Sequence, residues 1–83
     1  MVGQRVETFE ALSTTPGAYM KDEPGEWWAH VPNSACAVGQ LADHEVTEHE
    51  DGTITVAPSI LMPARDGSPG YHGYLERGVW REC

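Results

Sequence analysis

Six side chains of this chain offer metal-ligand chemistry: Cys36, Cys83, His30, His44, His49 and His72. A closed zinc centre takes four such ligands, usually including a closely spaced pair that a single turn can present. Neither Cys-x-x-Cys nor His-x-x-x-His occurs here. Two cysteines make no disulfide framework, so they read as reduced thiols, and no metal or cofactor is expected. Nucleophilic catalysis by Cys36 or by a serine such as Ser59 would need a positioned base and an acid to orient it. No order or spacing nominates such partners, and the chain reads as non-enzymatic with no catalytic residue assigned.

The acidic side chains give a stronger pattern. Asp43, Glu45, Glu48, Glu50 and Asp51 fall within nine consecutive residues that contain no Lys or Arg. In an extended strand Glu48 and Glu50 would project from one face, about 6.6 Å apart. Such a row either solvates a sheet edge and keeps it from pairing with another chain, or docks a basic partner. The whole chain carries thirteen acidic residues against five basic ones, a net charge of −8. Binding to phosphate requires cations that displace counterions, so direct contact with nucleic acid or an anionic membrane is disfavoured. A basic protein surface fits better, including that of a nucleic-acid-binding protein whose ligand this chain imitates. Trp27 and Trp28 are adjacent, and in a strand they must face opposite sides. One is expected in the core while the other covers the sheet's second face or is exposed, where it would join Asp43, Glu45, Glu48, Glu50 and Asp51 in a partner-binding face.

These residues need a scaffold, and two glycine-containing turns supply one. His49-Glu50-Asp51-Gly52-Thr53 and Leu75-Glu76-Arg77-Gly78-Val79 each place a glycine third in a short polar loop between strand-like runs. Both suit a type I turn closed by a residue of positive φ, a three-residue loop. In that register His49 faces Thr53 and Val46 faces Val56, while Leu75 faces Val79, Tyr74 faces Trp80 and His72 faces Glu82. Glu26 to Val31 reads as a strand, Pro32 to Asp43 as a loop with one short strand, and Pro58 as the end of regular pairing or an edge. Gly73 inside a strand leaves room for a neighbouring ring or marks a bulge. Pro63 to Gly70 is rich in turn formers and reads as an exposed connection. Residues 4 to 13 fit either a short helix or a strand, and Thr14 to Glu26, with Pro-Gly at both ends of a charged cluster, reads as a loop.

Eighty-three residues make one domain, 1–83, with a β core over 26–83 and a less defined segment over 1–25. The expected fold is mainly β, a small antiparallel sheet of about five strands curled into a roll or partly open barrel, with a short N-terminal helix as one reading of residues 4 to 13. No window is apolar enough for a membrane helix, and the first residues lack the apolar core of a signal peptide, so a cytoplasmic protein is expected.

The run Glu48-His49-Glu50-Asp51-Gly52-Thr53-Ile54-Thr55-Val56-Ala57-Pro58-Ser59-Ile60, with His72-Gly73-Tyr74-Leu75-Glu76-Arg77-Gly78-Val79-Trp80 after it, resembles a family of small uncharacterised tailed-phage and prophage proteins. The likeness takes in Trp27-Trp28 and His44 and covers roughly residues 26 to 83. The Pro-Ser-Ile segment and the later His72 are also distantly similar to a zinc-ribbon-like domain of unknown function, but the cysteine pairs typical of that domain are missing here. Ser59-Ile60-Leu61-Met62 is similar to a short segment of phage uracil-DNA glycosylase inhibitors, which are acidic and of comparable size. The resemblance implies a phage origin and no particular activity. Joined to the small size, the acidic charge and the lack of a catalytic constellation, it gives the expectation of a non-enzymatic binding protein acting on a host protein in the host cytoplasm, as a host-takeover or anti-defence inhibitor. Its alternative is a small structural component of the virion, with a homo-oligomer as one open state.

Overall fold

The computed structural model describes residues 1–32, 38–64 and 70–83. Eight strands and one short helix are present among them, so the chain is mainly β with an N-terminal helix. The strands form two four-stranded sheets, neither closed into a barrel, instead of about five strands in a single curled one. The N-terminal sheet orders β1 (Gln4–Arg5), β2 (Ala18–Lys21), β3 (Trp27–His30) and β4 (Val38–Gln40) side by side. The C-terminal sheet is a meander of β5 (Glu45–Glu48), β6 (Ile54–Met62), β7 (Tyr71–Glu76) and β8 (Val79–Glu82).

Strands β1 and β2 are parallel, which demands a crossover, and α1 (Phe9–Thr14) supplies it. Residues 4 to 13 therefore hold both a strand and a helix. Thr8 caps α1 by accepting the Ala11 amide at 3.1 Å. Six residues are too few for an isolated helix in water, so α1 depends on docking. Leu12 is fully buried in that contact, beside Val6, Ala18 and Met20. Buried His30 donates from Nδ1 to the Leu12 carbonyl at 2.7 Å and fastens the helix to β3.

The N-terminal sheet is thus covered on both faces. Ala18 and Met20 face the helix, while Tyr19 enters the core between the sheets with Ala29, Val31, Leu41, Ile54, Val56, Ile60, Tyr71, Leu75 and Trp80. Strand β2 lies inside the stretch expected to be a loop. A strand buried on both faces shows no apolar–polar alternation, and the flanking Pro-Gly pairs mark its ends, not a continuous loop.

In the C-terminal sheet β7 alternates strictly, with Tyr71, Gly73 and Leu75 inward and His72, Tyr74 and Glu76 outward. The first hairpin has the expected register: Val46 pairs with Val56, the His49 amide donates to the Thr53 carbonyl at 2.8 Å, and Gly52 has φ +87°. The second does not. Leu75 pairs with Trp80, Glu76 with Val79, Tyr74 with Arg81 and Gly73 with Glu82, leaving a two-residue loop of Arg77 and Gly78. Both have positive φ, +48° and +78°, as a type I′ turn requires. Side-chain burial explains the choice, since this register turns Trp80 inward with Leu75 and leaves Tyr74 outside against Arg81. His72 consequently does not face Glu82 or share a face with Trp80. The ring that packs on Trp80 is Tyr71, edge-on at 5.6 Å, and the same ring fills the space over Gly73.

Strand β6 runs on through Pro58 to Met62, with its pairing to β7 shifting register between Val56 and Ile60. Residues 1–3 lie along β8: Val2 bridges Val79, the Gly3 amide donates to Gly78 at 2.6 Å, and the Trp80 amide donates to Met1 at 2.7 Å. Much of the connection from Pro63 to Gly70, and Cys36, lie outside the described residues.

Candidate functional site

Strand β5 ends at Glu48, so Glu50 belongs to the loop and the expected even row of Glu48 and Glu50 is not formed. Glu48 shares its strand face with inward-packing Val46, and this turns its carboxylate toward the seam between the sheets. There it accepts from Arg5 Nη1 at 2.7 Å and lies 3.7 Å from Lys21 Nζ. The Arg5 hydrogen bond, reinforced by the charges of Arg5 and Lys21, holds the Glu48 carboxyl below the usual carboxylate range. Arg5 Nη1 also donates to the Gly52 carbonyl at 3.0 Å. Both cations lie over the Trp27 ring, the Arg5 guanidinium at 5.1 Å and the Lys21 amine at 5.7 Å from its centroid. One carboxylate, two cations and one indole thus tie β1 and β2 to the first hairpin.

The loop beyond Glu48 is set by its own side chains. Asp51 Oδ1 accepts from Thr53 Oγ1 at 2.6 Å and from the Thr53 amide at 3.0 Å, and these bonds hold the Asp51 carboxyl below the usual range. His49 Nε2 lies 2.6 Å from Thr55 Oγ1, which also accepts the Arg77 amide at 3.0 Å. Thr55 therefore joins the two hairpin tips. Between them lies an open groove of about 450 Å³ lined by Glu48, His49, Glu50, Asp51 and Arg77.

Of the seven side chains expected to form a partner-binding face, the structure gathers Glu48, Glu50 and Asp51 at this groove and connects Trp27 to it through Arg5. Asp43 and Glu45 are exposed but outside it, Asp43 in the turn before β5 and Glu45 on the outward face opposite Ala57. The two indoles do face opposite sides, yet neither is exposed. Trp27 packs against the core between the sheets and Trp28 against the helix side. Phe9 covers Trp28 edge-on at 5.2 Å, and Trp28 Nε1 donates to Asp22 Oδ2 at 3.0 Å.

Arg5, Lys21, Thr55 and Arg77 have no local sequence signal for these roles, because the contacts that join the elements, Arg5 and Lys21 to Glu48 and Arg77 to Thr55, link residues distant along the chain. The available hint was scarcity: in so acidic a chain every cation has several carboxylates competing for it.

The chemistry-bearing residues outside the groove are dispersed. His44 donates from Nε2 to the Ser59 carbonyl at 3.2 Å, and Ser59 Oγ lies 2.9 Å from His72 Nε2. The Ser59–His72 pair is open to solvent, and no carboxylate hydrogen-bonds His72 among the described residues. Cys83 is exposed, and no three metal-binding side chains converge among the described residues. Among the described residues no helix is long and apolar enough to cross a membrane. Comparison with protein-family models, curated proteins and solved structures gives no match.

Proposed function

We propose that this protein is a non-enzymatic acidic binding module whose hairpin groove docks a basic surface of another protein. In the phage setting implied by the sequence motif, that partner is a host protein and the module inhibits it. The observation that carries this reading is the pair of hairpin tips. Glu50 and Asp51 stand at a groove whose walls are fixed by Arg5 on one side and Thr55 on the other, so the negative charge is presented on a preorganised frame. Glu48 contributes as part of that frame, its charge being shared with Arg5 and Lys21. Long-range attraction between this groove and a basic partner would raise the association rate.

Affinity capture from host lysate identifies the partner, and binding kinetics then test the site. Glu50→Lys is the informative variant, because Glu50 is exposed and makes no ion pair among the described residues. It is expected to lower the on-rate several-fold at low salt and to flatten the salt dependence. Unchanged kinetics at low salt would refute the docking role of the groove.

A further inference from the structure

We propose that a second subsite, on the N-terminal sheet, takes a lysine or arginine side chain of the same basic partner, with Phe9 as its aromatic anchor. This rests on the docking reading above and extends it across the seam. Phe9 begins α1 and remains 49% exposed while lying edge-on to Trp28 at 5.2 Å. Its support is rigid. Asp22 Oδ2 accepts Trp28 Nε1, and Asp22 Oδ1 accepts the Gly25 and Glu26 amides at 3.0 and 2.7 Å. Beside this aromatic pair lies an open groove of about 490 Å³ lined by Glu7, Phe9, Met20, Lys21, Asp22 and Glu23.

The charges around the ring select the occupant. Lys21 is drawn away toward Glu48 and Trp27. Glu7 and Glu23 pair with no cation among the described residues. The hydrogen bond from Trp28, helped by the two turn amides, holds the Asp22 carboxyl below its ordinary range, so it stays ionised. An anion would be repelled here, and a neutral apolar group would leave the carboxylates no counter-charge. A cationic head on an aliphatic stem satisfies both halves, with the stem against Phe9 and the head among the acids. The Lys21–Glu48 contact joins the two grooves, since Lys21 lines one and Glu48 the other. A basic partner that follows the protein surface from one groove past Lys21 to the other would engage both.

The test is an amide and indole NMR titration of the full chain with the blocked hexapeptide acetyl-(Arg-Gly)3-amide. Shifts of the Trp28 indole and the Phe9 and Glu23 amides are expected alongside those of Glu50 and Asp51. Phe9→Ala should weaken binding about two- to fivefold, the range for an exposed cation–aromatic contact. The double variant Glu7→Gln, Glu23→Gln, which keeps the ring stack, should weaken it as well. Shifts confined to Glu50 and Asp51, with Phe9→Ala binding like the parent, would overturn the second subsite and leave the hairpin groove standing. No shift in either groove would overturn both.

Discussion

The two hairpin tips of the C-terminal sheet differ although their sequences follow one plan. Glu50-Asp51-Gly52 makes a three-residue loop closed by one positive φ, whereas Arg77-Gly78 makes a two-residue loop with two. The first is stabilised mainly within itself, by the Asp51–Thr53 bonds, with one bond from outside in which Arg5 Nη1 donates to the Gly52 carbonyl. The second is held from outside: Gly78 donates to the Ile54 carbonyl and accepts from Gly3, and the Arg77 amide reaches Thr55. Loop composition decides the register when nothing heavier depends on it. Where Trp80 must be buried, the strands decide, and the loop accepts an arginine in a left-handed conformation.

That difference can be broken most forcefully at Trp80. It is buried with its indole donating to the Gly17 carbonyl at 2.8 Å, so Trp80→Ala should cost about 3–5 kcal/mol in a denaturant melt and remove the force that sets the second register. The two glycines provide a matched pair. A side chain at Gly78 would begin 2.9 Å from the Tyr19 hydroxyl and 3.1 Å from Thr53, whereas at Gly52 the nearest atom is Arg5 Nη1 at 3.9 Å. Both substitutions to valine strain a positive φ, but Gly78→Val should cost about 2–4 kcal/mol and Gly52→Val about 1–2 kcal/mol. Equal losses would mean that the tips are equally exposed, against the packing described.

Arg77→Gly should go the other way. Relieving the left-handed arginine stabilises by about 0.5–1 kcal/mol, less than the full penalty because glycine is more flexible when unfolded. A drop in melting temperature would show that the arginine side chain matters more than its backbone. The smallest effect is one of pH and is confined to the first tip. With its folded-state pKa lowered from 3.8, Asp51 contributes stability that is present above about pH 4 and is lost as the pH falls through the folded value. Melting curves of Asp51→Asn and the parent should therefore converge below that range, and an NMR titration of the carboxyl should place its midpoint below 3.8.

What could be read from residues alone follows the same division. The first hairpin, the opposite facing of Trp27 and Trp28 and the strand around Gly73 are legible because β-branched pairing and two-residue periodicity are local. The second register was not, since it depends on the competition between Tyr74 and Trp80 for the interior, and only a second sheet packed on the first settles that. Strand β2 was hidden by burial on both faces. At the site, the acidic loop is visible as composition, but the conversion of Glu48 into a structural tie is not, because Arg5 and Lys21 reach it from the other sheet. Phe9 offered only the ambiguity between helix and strand, and its covering of Trp28 requires the crossover that parallel pairing imposes.

The bridge between Val2 and Val79 also bears on synthesis. As the chain leaves a ribosome, residues 1–3 emerge well before β8, so this long-range contact cannot close until the second hairpin has been made. Until then two partly built sheets carry open edges. The acidic residues on and after β5, the edge strand of the C-terminal sheet, place like charges along such an edge, and like charge opposes pairing between two copies of it.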